Sequence, residues 1–280
     1  MAQINEHAEL LIIDNGSDDD TPQLGMQRAK ENVQIKYCRE DNLGLSHARN
    51  RALHDARGKY VLFLDDDATV APGWLDEYVR FLGSPPSGKI VCVGGPVFPE
   101  FEKDRPNWLA ANYGRLDYGG EMRELKDGPG PWGGNVAYDR FAALQQGGFN
   151  PNLGRKGKTF GACEEYDLNL RLRQNGGEIW WLPGAAINHF MPSARLKLRH
   201  LLRVAFTEGR SSATLRLDQI SRAGPKTFFI LLRIFGLPWQ LIWSFFLAAS
   251  VLVGAKKTCV KALLRASRAL GFVRQCCSRF

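Results

Sequence analysis

Tyr60–Val61–Leu62–Phe63–Leu64 is an unbroken apolar run that ends directly in three aspartates, Asp65–Asp66–Asp67. A run of that length without a polar residue is the pattern of a buried strand. Three neighbouring carboxylates at its end repel one another and are costly to desolvate unless a cation neutralises them. Hard divalent ions such as Mg2+ or Mn2+ take oxygen ligands and bridge a carboxylate to phosphate oxygens. A solvated acidic turn that merely caps the next element is the plainer alternative, so the surroundings have to decide.

The surroundings alternate. Glu9–Leu10–Leu11–Ile12–Ile13 is a second apolar run, ending in Asp14–Asn15–Gly16–Ser17, as a buried strand entering a turn does. Thr21 and Pro22 open a short helix, and Val33 to Tyr37 alternates like a strand. Leu45 to Ala56 places apolar or small residues at helical spacing until Gly58 stops it. Strand–helix–strand alternation predicts a parallel α/β sheet, whose ligands gather at the carboxyl ends of the strands. Asp14 and Asp65–Asp67 both stand at such ends. Further strands are expected at Ile90 to Val93 and Glu178 to Leu182, with helices from about Asp139 to Gln146 and from Glu164 to Gln174. Residues 99–131, with few apolar runs, read as loops around a site.

Other residues carry weaker signals. Glu164–Glu165–Tyr166–Asp167 puts acids in a first helical turn, where they oppose the helix dipole, and where one could also serve as a general base. His189, after Ala186–Ile187–Asn188, is a lone histidine that structure alone could explain. Gly133–Gly134–Asn135 is either a tight turn or a place where backbone approaches a ligand closely.

The net charge of +8 suits nucleic acid, an anionic membrane or a phosphorylated substrate. No zinc-finger, homeodomain or RNP pattern is present, which argues against nucleic acid. After Gln219 the chain carries lysines and arginines but no acid. Residues 228–254 are strongly apolar, yet Arg233, Pro238 and Gln240 interrupt them. The uninterrupted part, Leu241 to Gly254, falls short of the ~20 residues that span a bilayer. Residues 255–280 then repeat Val260, Leu263, Leu264, Leu270 and Phe272 on a basic background. A hairpin or in-plane membrane anchor is expected, with one tilted transmembrane helix as its rival. The six cysteines form no CxxC pair and the polar stretch Met1 to Glu9 is no signal peptide. Both point to reduced thiols at the cytoplasmic face of a membrane.

Four runs in this order, LLIIDNGSDDDTPQL, REDNLGLSHARNRALHDARGKYVLFLDDDATVAPGWL, PWGGNVAYDRFAALQQGGFNPNLGR and EEYDLNLRLRQNGGEIWWLPGAAINH, closely resemble glycosyltransferase family 2 over residues 9–190. The resemblance implies a GT-A fold: a Rossmann-like, mostly parallel sheet flanked by helices. It also implies an inverting transfer from a nucleotide-diphosphate sugar to a hydroxyl-bearing glycan or lipid acceptor, with Mg2+ or Mn2+ as cofactor. By position, Asp14 lies against the nucleotide base, and Gly44 and Arg49 belong to the loop and helix beside the nucleotide. Asp65 and Asp67 match the outer positions of the family's DxD motif, Asp65 near the ribose with Asp66 beside it and Asp67 on the metal. His189 completes the metal shell. Glu165 is the catalytic base, and Glu164, Trp132, Gly134 and Asn135 border the donor sugar and acceptor. The family's leading strand–helix unit has no counterpart ahead of Glu9. Residues 1–215 are expected to form the catalytic domain and 216–280 a membrane-associating tail. A degenerate GT-A module that binds without turnover and a nucleotidyltransferase are the competing readings.

Overall fold

The computed structural model describes residues 8–157, 159–223 and 256–278. Strand β1 (Leu10–Asp14), helix α1 (Thr21–Glu31), strand β2 (Ile35–Arg39), helix α2 (Leu45–Asp55) and strand β3 (Tyr60–Leu64) follow the expected alternation. β1 and β2 run parallel, with Asp14 opposite Arg39. Then come β4 (Ala68–Val70), α3 (Trp74–Gly83), β5 (Ile90–Gly94), β6 (Val97–Phe101), β7 (Arg123–Glu124) and β8 (Asn135–Asp139). The chain continues through α4 (Arg140–Gln145), α5 (Glu164–Gln174), β9 (Glu178–Trp181), β10 (Ile187–Met191), α6 (Leu198–Ala223) and α7 (Lys256–Cys277).

The main sheet has the order β3-β8-β5-β9-β7, and β4-β10-β6 form a smaller one. Pairing is mixed rather than mostly parallel. β8 runs against both β3 and β5, while β5 and β9 are parallel. The reason lies in the connection: β8 enters from the long excursion before it, not from a crossover helix, so nothing obliges it to run parallel. Among the described residues β1 pairs with β2 alone and β3 with β8 alone, so each presents one unpaired edge.

β8 is buried on both faces. Val136 and Tyr138 point into one core with Leu53, Phe63, Phe149 and Leu168, while Ala137 points into another with Trp74, Tyr78 and Val93. This is the period-two alternation of a strand buried on both faces. Phe63, Tyr138 and Phe149 meet edge to face, with centroids 5.5–6.2 Å apart. Helix α3, which the sequence reading leaves unassigned, covers the second core with Trp74, Tyr78 and Phe81 at helical spacing. Asp76 and Glu77 occupy its first turn, where they oppose the dipole.

The chain divides into two compact units. One comprises Met1–Glu100, Gly114–Pro151 and Glu164–Phe190, and holds these sheets; the other comprises Phe101–Tyr113, Asn152–Cys163 and Met191–Phe280. In the second unit α6 runs without a break through position 215. It lies parallel to α7: Ser267 Oγ donates to the Leu202 carbonyl at 2.8 Å, and Arg210 Nε donates to Gln275 Oε1 at 3.0 Å. Glycines set how closely the two helices approach. A Cβ on Gly209 would stand 1.9 Å from the Arg268 carbonyl oxygen, and one on Gly271 would stand 1.8 Å from that of Phe206. Within the basic pattern read at 255–280, Lys256–Cys277 folds as α7. Among the described residues no helix is long and apolar enough to cross a membrane. The apolar stretch 228–254 lies outside the described residues.

Candidate active site

The loop after β3 and the strand β10 build the first half of the site. β10 pairs antiparallel with β4, setting His189 opposite Ala68, and the Phe190 N–H donates to the Asp67 carbonyl at 2.8 Å. This register carries His189 Nε2 to 2.9 Å from Asp67 Oδ1. Asp65 joins them: one ligand atom from each of Asp65, Asp67 and His189 lies within 4.8 Å of the others. Atoms bound at about 2.1 Å to one ion stand at most about 4.2 Å apart, so the trio needs only a small closure to grip a cation. Two carboxylate oxygens and an imidazole nitrogen fit Mn2+ well, since carboxylates suit Mn2+ and Mg2+ while imidazole favours transition metals. Asp65 thus stands with Asp67 and His189, whereas Asp66 is exposed.

The second half is a buried ion pair. Arg49, on α2, is 5% exposed, and its Nη1 donates to Glu164 Oε1 at 2.9 Å. Its Nη2 lies 3.8 Å from Asp65 Oδ1, and its guanidinium carbon lies 5.4 Å from the Phe149 centroid and 6.0 Å from that of Phe63. The loop ahead of β8 closes over this group. A Cβ on Gly133 would meet the Arg49 guanidinium at 2.3 Å, and one on Gly134 would meet Asp65 Oδ2 at 2.5 Å. A side chain at Gly133 would have to displace the buried Arg49 guanidinium, and one at Gly134 the Asp65 carboxylate. Glu164 and Glu165 open α5, and the Oε2 atom of each is buried without a hydrogen-bond partner. Burial pushes the Glu164 carboxyl up to about 7, the charge of Glu165 adds to this, and Arg49 opposes it.

Asp14 and Gly44 form a cluster of their own at the end of the β1–β2 pair. Asp14 is 2% exposed and accepts from Tyr37 O–H at 2.6 Å and from the Ser17 N–H at 2.8 Å. Burial acts to raise its pKa, but these donors and Arg39 outweigh it and hold Asp14 below the usual carboxylate range. Asn15 ties the next loop down: its Nδ2 donates to the Glu40 and Asn42 carbonyls, and its Oδ1 accepts from the Gly44 N–H at 2.7 Å.

The remaining expected residues divide. Trp132 is exposed at the rim. Asn135 turns inward. Its Oδ1 accepts from Trp74 Nε1 at 2.9 Å and Tyr78 O–H at 3.0 Å, while its Nδ2 donates to the Pro96 and Ala185 carbonyls. It anchors the loop from below. Sequence reasoning missed Tyr37, Asn15 and the Arg49–Glu164 pairing. The last had a visible cue, because Arg49 falls on the same helical stripe as Ser46, Ala52 and Leu53, all buried. A charge on that stripe demands a buried partner.

The fold and this acidic site define a GT-A glycosyltransferase. The mannosyltransferase PcManGT from Pyrobaculum calidifontis, solved with GDP-Man and Mn2+, shares the fold with a TM-score of 0.51 and 17% identity, over 94% of this chain and 77% of that one. Residues 1–145 match the description "Glycosyl transferase family 2", and the chain belongs to that family. The glucosyl-dolichyl phosphate glucuronosyltransferase of Haloferax volcanii is 26% identical over 224 residues, covering 78% of this chain and 70% of that protein. The succinoglycan biosynthesis protein ExoM of Rhizobium meliloti is 27% identical over 189 residues, covering 65% of this chain and 56% of that protein.

Proposed function

We propose that this glycosyltransferase moves a sugar from a nucleoside-diphosphate donor to a hydroxyl of a glycan or lipid acceptor, with inversion, at the cytoplasmic surface of a membrane. The observation that carries the reading is the trio Asp65, Asp67 and His189, whose ligand atoms lie within 4.8 Å of one another. A divalent cation bound there, Mn2+ or Mg2+, supplies positive charge against the diphosphate of the donor. PcManGT, with its GDP-Man and Mn2+, supports that donor class. The dolichyl phosphate in the name of the Haloferax relative supports a lipid-linked acceptor.

The chain's own residues then take these parts. Asp14 and Gly44 frame the nucleotide, and Asp14 is already ionised and fixed by Tyr37 and Ser17. Trp132, Gly134 and Glu164 border the sugar and acceptor, and Asn135 holds their loop from beneath. Glu165 takes the proton of the acceptor hydroxyl. That oxygen bonds to the anomeric carbon, and the bond from this carbon to the diphosphate breaks with its electron pair leaving on the phosphate. Attack from the face opposite the leaving group inverts the centre. Residues 1–215 form the catalytic body. The tail 216–280 attaches to anionic lipid through exposed cations such as Lys261, Arg265 and Arg274 on α7.

The test is a screen of UDP- and GDP-sugars with Mn2+ or Mg2+, following nucleoside-diphosphate release with and without lipid-phosphate acceptors. Metal-dependent release that rises with one acceptor class is expected. Binding of nucleotide and metal without release from any donor would leave a non-catalytic GT-A module. Pyrophosphate formed from a sugar phosphate and a nucleoside triphosphate would make it a nucleotidyltransferase.

A further inference from the structure

Glu164 and Glu165 are two carboxyl groups served by one buried cation. Glu164 is 4% exposed, and its Oε1 is satisfied by Arg49 at 2.9 Å. The other oxygen, Glu164 Oε2, and Glu165 Oε2 are buried without a donor, and the two side chains lie within hydrogen-bonding reach of each other. Burial and the neighbouring Glu165 charge both disfavour the ionised form of Glu164, and Arg49 opposes them.

Arg49 is locked in place to serve them. Gly133 lies against its guanidinium, Phe63 and Phe149 lie alongside it, and Asp65 sits at 3.8 Å on its far side. Among the described residues, the charged and titratable groups around Arg49 and the two glutamates are Asp65 from the end of β3 and Tyr138 from β8. Burial raises the Tyr138 hydroxyl well above its usual range, so Tyr138 brings no charge. Arg49 alone is cationic among them.

We propose that Arg49 is a positioning residue of the transfer reaction. Wedged between Asp65 and Glu164, it holds the Glu164 carboxylate, and with it the first turn of α5 that carries Glu165, against the loop carrying the metal ligands. Its role is to act through Glu164 rather than to touch the nucleotide. This inference rests on Glu165 as the base, as proposed above. Without the guanidinium, Glu164 is left buried with no counter-charge, and the first turn of α5, which carries Glu165, loses the contact that fixes it.

The experiment compares the full-length wild type with Arg49→Met, Arg49→Lys, Glu164→Gln and the double variant Arg49→Met/Glu164→Gln. For Arg49→Met, kcat should fall about 100-fold at pH 7 with donor KM little changed. Arg49→Lys, which keeps the charge and loses the fork, should be intermediate. The double variant should regain at least about tenfold over Arg49→Met, because removing the second carboxyl removes the need for the cation. Its thermal midpoint should also exceed that of Arg49→Met. A rise in donor KM at unchanged kcat would mark Arg49 as a nucleotide contact and overturn the proposal, as would a double variant no better than Arg49→Met in rate and midpoint. Should the wild type turn over no donor, the failure belongs to the transferase mechanism. The unfolding cycle then decides: coupling between positions 49 and 164 supports the proposal, and independent effects overturn it.

Discussion

His189 Nε2 stands 2.9 Å from Asp67 Oδ1 because the β4–β10 register sets His189 opposite Ala68, the residue that follows Asp67. The contact joins positions 122 residues apart in the chain, and it is the geometry a shared cation would use. His189→Ala and Asp67→Asn should each weaken Mn2+ binding, measured by calorimetry, at least about tenfold, since even residues that only support metal ligands are worth ~10–100-fold. The fold should survive both changes. Unaltered Mn2+ affinity in both variants would remove the metal site from this trio.

Glu165→Gln keeps the size of the side chain and removes its ability to take a proton. Turnover should fall about 10²–10⁴-fold while nucleoside-diphosphate affinity stays within about threefold of wild type. Single-turnover kinetics with saturating donor would check this. Full activity in the variant would move the base elsewhere.

Asp14 has a depressed pKa, and the sign of its pH effect follows. Its folded-state value lies below the ordinary 3.8, so the folded state binds its proton less readily than the unfolded chain. The stabilisation is complete above the unfolded value and is lost as pH falls through the folded one. Wild type should exceed Asp14→Asn by about 1.5–3 kcal/mol at neutral pH, the range for hydrogen bonds to a charged group. That margin should shrink only below about pH 4. Urea unfolding from pH 7 to pH 2.5 measures it, and a margin that is flat across the whole range would contradict the assignment.

Asn135 makes four hydrogen bonds inside the protein, to Trp74, Tyr78, Pro96 and Ala185. Asn135→Ala strands all four partners and should cost at least about 3 kcal/mol, given ~1–3 kcal/mol for each buried group left unpaired. Asn135→Asp should do no better, because a carboxylate cannot donate to two carbonyls. Chemical denaturation of the full chain is the measure. A loss under about 1 kcal/mol would mean the loop is held in some other way.

Residues whose local pattern and tertiary fate agree were readable from the chain alone. Helix α5 is observed at the predicted Glu164–Gln174, and β3 begins and ends where the apolar run does. Asp65, Asp67 and His189 all stand out in the sequence. Three things were not legible. β8 is five residues beginning at the asparagine of a glycine turn, so turn chemistry masked a central strand. The inward course of Asn135 depends on Trp74 and Tyr78, from a helix never assigned. The closure of Gly133 over Arg49 is a contact between residues 84 apart, and no local period encodes it.

The facing glycines of α6 and α7 act as a stop against sliding. Shifting α7 by one turn, about 5.4 Å, would bring Ser267 or Gln275 to the place of Gly271, and either side chain would strike the Phe206 carbonyl. Gly209 blocks the same slip from the opposite helix. The row Lys261, Arg265 and Arg268 is therefore held at a fixed height along α6, like teeth on a rail rather than charges on a loose tether.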